Sequence, residues 1–103
     1  MRGLSAKELS VITRILGKFP DIEEGILFGS RAMGKFKPGS DVDIALKGRM
    51  TLQVVARVKA LLEEESPLPY IFDVVDYYTI ETPAFKEHID MHGRSIYKRT
   101  TAT

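Results

Sequence analysis

The sequence predicts an α/β fold, three or four short strands packed by helices, and three features predict it. Apolar runs at residues 26–28, 41–46 and 70–76 have the length and composition of strands. Around them lie longer stretches whose apolar residues recur every three or four positions, as in helices with one buried stripe. Each of those stretches opens on a capping residue: Ser5, Thr51 and Thr82.

Taken in order, Ser5-Ala6-Lys7-Glu8 has the form of a capping box, with Leu4 and Leu9 placed as a hydrophobic staple. The first helix is expected to bury Leu9, Ile12, Ile15 or Leu16, and Phe19. Pro20 should end it, and Gly17 weakens its last turn. Ile26, Leu27 and Phe28 make a first strand with no polar face, as in a strand covered on both sides. Residues 41–46 form the second, closed by a turn at Lys47-Gly48-Arg49-Met50. The helix capped by Thr51 runs to about Glu65, with Leu52, Val55, Val58 and Leu62 on its buried stripe. Glu63-Glu64-Glu65 reads as a solvated helix end rather than an acidic site. Ser66-Pro67-Leu68-Pro69 is a stiff connector to the third strand, residues 70–76. Thr82-Pro83 opens the last helix, and Gly93 is placed to end it in a left-handed cap. Ile96-Tyr97 adds a short strand, and residues 98–103 are expected to fray.

The chain's 103 residues suffice for one compact domain. Its 44% hydrophobic and 28% charged content are those of an ordinary soluble protein. A net charge of +1 supplies no global basic field, so direct nucleic-acid binding is not expected. Without cysteine there is no disulfide framework or thiolate metal site. No apolar run approaches the roughly 18 residues of a membrane span, and no signal-peptide pattern is present. A cytoplasmic protein is the expectation.

The chemistry concentrates between residues 26 and 46. The first strand breaks at Gly29-Ser30, and ten residues later a second strand carries Asp41 and Asp43 two apart. Side chains two apart on a strand share a face, roughly 6.5–7 Å apart at their α-carbons. Paired carboxylates repel unless a cation lies between them, and oxygen ligands suit a hard divalent ion such as Mg²⁺. Gly29 lets a phosphate approach the backbone, while Ser30 can cap the turn or donate to phosphate oxygen. Phosphate cradle and metal carboxylates together read as nucleotide chemistry. Asp73, inside the third apolar run, is costly to bury alone. Asp76, near the strand end, reads as a turn cap. His88 and His92 have a chelating i, i+4 spacing but no evident third ligand, and are not read as a metal site.

Gly29-Ser30, ten residues, then Asp41-Val42-Asp43 resembles the signature of the DNA polymerase β-type nucleotidyltransferases. The fuller string GSRAMGKFKPGSDVDIAL is similar to that of the minimal nucleotidyltransferases (MNT) of prokaryotes, and the likeness runs from Ile26 to about Tyr97. The resemblance implies a small mixed sheet and transfer of a nucleoside monophosphate, from ATP by preference, onto an acceptor hydroxyl. It implies two Mg²⁺ ions, with Mn²⁺ as a substitute, on Asp41, Asp43 and Asp73. Gly29 and Ser30 would then grip the β/γ-phosphates. Arg31 would add charge to the triphosphate, or else be simply solvated.

Larger relatives carry a second domain for base or acceptor, so a second protein or a second copy of the chain should complete the cleft here. For the MNT group the implied partner is a HEPN-domain toxin, adenylylated by its antitoxin. Two other readings remain open at this point. One is a non-catalytic module that binds nucleotide and neutralises its partner by contact. The other is an antibiotic-modifying nucleotidyltransferase, which the absence of a substrate-binding domain weakens.

Overall fold

A computed structural model describes residues 3–37 and 39–99. The capping box forms as expected: the Glu8 N–H donates to Ser5 Oγ, and the Ser5 N–H to Glu8 Oε1. It starts α1 (Ala6–Leu16), which buries Ile12, Ile15 and Leu16, while Leu4, Leu9 and Phe19 join the same core. The helix stops four residues before Pro20, with Gly17 as its C-cap rather than inside its last turn.

The chain then enters β1 (Ile22–Phe28), turns through the one-turn α2 (Gly29–Ala32) and returns as β2 (Val42–Gly48). Both strands outrun their apolar runs, because backbone pairing continues where the side chains become polar. Ile22 pairs with Gly48 and Glu24 with Lys47, so Lys47 and Gly48 are strand rather than turn. Next come α3 (Leu52–Glu64), β3 (Phe72–Asp76), a 3₁₀ turn (Tyr77–Thr79), α4 (Pro83–His92) and β4 (Arg94–Lys98). The sheet is mixed, in the order β3-β2-β1-β4: β1 is antiparallel to β2 and β4, and β2 is parallel to β3.

Each face of the sheet has its own core. On one, α1 and α3 cover Ile22, Leu27, Val42, Ile44, Leu46, Phe72 and Val74. On the other, Ile89 and Phe85 of α4 and Tyr77 cover Ile26, Phe28, Ala45 and Val75. The interior strands thus alternate between two buried faces, which is why β1 reads as continuously apolar at its end. Asp76 accepts from the Tyr78 N–H at 3.1 Å, as a turn cap should.

Three further expectations are corrected. Leu52 is 90% exposed, not on the α3 stripe. Two successive three-residue steps each lag a full helical turn by about 60°, which swings Leu52 well away from Val58. A Leu52→Gln protein should therefore melt within about 0.5 kcal/mol of wild type in urea or heat; a loss of several times that would place Leu52 in the core. Gly93 closes α4 with φ −68, not in the left-handed region. Glycine is required there for space: a Cβ would sit 2.4 Å from the Ile89 carbonyl oxygen and 2.6 Å from Ile26 Cγ2. Lys98 and Arg99 do not fray, for Lys98 belongs to β4 and the Arg99 guanidinium donates to the Phe19 and Ile22 carbonyls at 2.8 and 3.0 Å. The remainder of that segment, residues 100–103, lies outside the described residues.

Candidate active site

Asp43 lies on an interior strand, paired with Phe28 of β1 on one side and Asp73 of β3 on the other. Residues paired across strands point to one face, so Asp43 and Asp73 stand side by side on the face covered further along by α4. Asp41, two residues earlier, is exposed just ahead of β2 on the same side. Asp43 is half-buried, and its carboxyl is pushed up to about 6, first by burial and then by the charges of Asp73 and Asp41, with Arg31 opposing. The geometry thus places three carboxylates at one end of the sheet and leaves the central one reluctant to ionise.

The turn after β1 is built around that carboxylate. Gly29 has φ +76, and a Cβ on it would lie 2.3 Å from Asp43 Oδ2. Glycine is needed because Asp43 itself occupies the space, a constraint the sequence does not reveal. Gly29→Ala should cost about 1–2 kcal/mol from its left-handed backbone alone and should displace the Asp43 carboxylate. Thermal melts with and without Mn²⁺ would check this; a folded Gly29→Ala protein with a wild-type response to Mn²⁺ would contradict it.

Ser30 is half-buried within α2, where Phe28 occupies the N-cap position without a side-chain bond. The capping role expected of Ser30 is therefore not realised. Arg31 is not solvated either. It is 3% exposed, and its guanidinium donates to the carbonyls of Ser40 and Gly3. The histidine pair on α4 has ring centres 5.3 Å apart, with His88 edge-on to Phe28.

The profile of the family described as "Polymerase beta, Nucleotidyltransferase" matches residues 10–102. The chain belongs to that family. Among curated members it is 34% identical, over 79 residues, to a Haemophilus influenzae protein named "Probable protein adenylyltransferase MntA", a match covering 74% of this chain and 68% of that protein. A crystal structure of a toxin–antitoxin pair with AMP-PNP superposes with a TM-score of 0.74 at 21% identity, covering 88% of this chain and 73% of that one. A chain from a complex of tri-AMPylated Shewanella oneidensis HEPN toxin with MNT antitoxin superposes at 0.56, with 18% identity and 96% and 74% coverage. These superpositions establish the nucleotidyltransferase fold.

For a nucleotidyltransferase of this family, the donor set fits a hard divalent cation. Asp41, Asp43 and Asp73 share one face, and the charges of Asp73 and Asp41 add to burial in raising the Asp43 carboxyl. Among the described residues, no three acidic or histidine side chains converge into a metal-ligand set.

Sequence reasoning missed a cavity of about 710 Å³ beside α2, lined by residues 31–34 and 91–94 and not by the aspartates. Arg94 stands in its wall, with Nε donating to the Ala32 carbonyl at 3.2 Å. Its walls come from segments some sixty residues apart, so no local pattern announces it.

Proposed function

We propose that this chain transfers AMP from ATP to an acceptor hydroxyl on a HEPN-type partner, releasing pyrophosphate and thereby acting as an antitoxin. The observation that carries the reading is the Asp43 carboxylate, lying against Gly29 with Asp73 beside it. The reacting phosphorus would be held where the turn and the acidic cluster meet. Named relatives support the chemistry: a curated member carries the name of a protein adenylyltransferase, and a superposable structure contains an AMPylated HEPN toxin.

Asp41, Asp43 and Asp73 would hold two Mg²⁺ ions, with Mn²⁺ as a substitute, and that metal would neutralise triphosphate charge and acidify the attacking hydroxyl. Asp73 is exposed on the edge strand β3, where it can accept the proton leaving the acceptor oxygen. Gly29 and the Ser30 hydroxyl would position the β/γ-phosphates. The cavity beside α2 offers room for part of the nucleotide. The acceptor hydroxyl would be supplied by the partner.

The test is the intact mass of the partner after incubation with this chain, Mg²⁺ and each ribonucleoside triphosphate in turn. An increase of one or more AMP units, with ATP only, is the expected result. A tight complex showing no mass change with any of the four would replace transfer with neutralisation by contact.

A further inference from the structure

Asp43 and Asp73 are held by strand pairing, but Asp41 precedes the first residue of β2 and needs another anchor. Arg31 provides one. Its Nε and Nη2 both donate to the carbonyl oxygen of Ser40, at 3.0 and 2.9 Å, gripping the residue directly before Asp41. Its Nη1 donates to the Gly3 carbonyl at 2.8 Å, which fixes the guanidinium from the other side. Tyr70 and Phe36 stack on the group, their ring centres 4.2 and 5.1 Å from Cζ. Beyond Asp41, the Val42 N–H donates to the Ile71 carbonyl at 2.9 Å, so the main chain is tied on both flanks of the aspartate.

A buried guanidinium is an expensive way to fasten a loop, because a charge out of water needs compensation. The ion pairs among the described residues are Lys18–Glu65 and Lys59–Glu63, and Arg31 takes part in neither. Its compensation comes from main-chain carbonyls and ring faces, with the Asp43 and Glu8 carboxylates near enough to feel its charge. Only a planar fork of donors can take one carbonyl with two prongs, reach a second carbonyl and stack between two rings. A lysine cannot do all of this.

We propose that Arg31 is a positioning residue for the metal site: it acts through the Ser40 carbonyl to aim Asp41 at the face shared by Asp43 and Asp73. This rests on the reading of those aspartates as metal ligands, and the test separates the two. Mn²⁺ affinity is measured by electron paramagnetic resonance titration of the wild-type chain and of Arg31→Lys, Arg31→Gln and Tyr70→Phe, with folding followed by circular dichroism. Both Arg31 variants should fold and bind Mn²⁺ about tenfold more weakly or worse, the usual cost of losing a group that orients a ligand. Partner modification by them should fall at limiting Mn²⁺ and recover at high Mn²⁺, a change in metal requirement rather than in the maximal rate. Tyr70→Phe keeps the ring on Arg31 but loses the hydrogen bond from Tyr70 to Glu8. It should melt lower with Mn²⁺ affinity unchanged, which shows that lost stability alone does not weaken the site. A folded Arg31 variant with wild-type Mn²⁺ affinity overturns the proposal while leaving the metal reading intact. Failure of both Arg31 variants to fold also overturns it, since Arg31 would then serve the fold rather than the site. A wild-type chain that binds no Mn²⁺ overturns the metal reading and this proposal with it.

Discussion

In Asp43→Asn, the rise in melting temperature produced by Mg²⁺ or Mn²⁺ should vanish, and the metal-free variant should melt higher than wild type at neutral pH. Both effects follow from one carboxyl. Its value is raised from 3.8 to about 6, with burial the first cause and the neighbouring aspartates the next. A carboxyl whose folded-state value lies above its unfolded one stabilises the fold while protonated. That contribution is complete below the unfolded value and is lost as pH rises through the folded one. Wild type should therefore lose stability relative to Asp43→Asn between about pH 4 and about pH 7, and change little against it above that interval. Metal binds the ionised form, so the metal-dependent stabilisation of wild type should grow over the same interval. Melting curves across that range, with and without Mn²⁺, check both halves. A variant that keeps the full metal shift would place the site elsewhere, and a wild-type-minus-variant difference that stays flat with pH would deny the burial of the charge.

Asp41→Ala and Asp73→Ala should each slow AMP transfer by about a thousandfold or more, because a lost metal ligand removes several kcal/mol of charge stabilisation from the transition state. Neither side chain contributes to the two apolar cores, so both variants should fold and still bind the partner. Single-turnover mass measurements on the preformed complex separate chemistry from docking. Full transfer by either variant would remove that aspartate from the mechanism, and loss of complex formation would mean that docking and catalysis share the same residue.

What the sequence disclosed depended on whether the determining contacts were local. Ser5 and Glu8 lie within one turn, and their capping box was legible. So were Asp41 and Asp43, whose alternation along one strand needs no partner. Asp73 could be noticed as an acidic residue in an apolar run, but its place beside Asp43 is a matter of register between strands thirty residues apart. The start of β1 was hidden because Glu23 and Glu24 interrupt the apolar run, whereas the ladder to β2 continues through Glu24. Arg31 was the least legible. A basic residue beside a Gly-Ser turn looks exposed, and its burial is built from Gly3, Phe36, Ser40 and Tyr70, brought from different parts of the chain. Gly29 reads as a phosphate site, yet the first group a Cβ on it would meet is the Asp43 carboxylate. That contact exists only after the strands pair.

The most direct test of the transfer reaction is the fate of the phosphorus atoms of ATP. The complex of this chain with its partner is incubated with Mg²⁺ and ATP labelled at either the α- or the γ-phosphorus. The account predicts that α-label becomes covalently attached to the partner while γ-label leaves as pyrophosphate, and that Asp43→Asn stops both. Label from the γ-phosphorus on the partner, or its release as free phosphate with no α-label attached, would contradict nucleotidyl transfer and point to phosphorylation or simple hydrolysis instead.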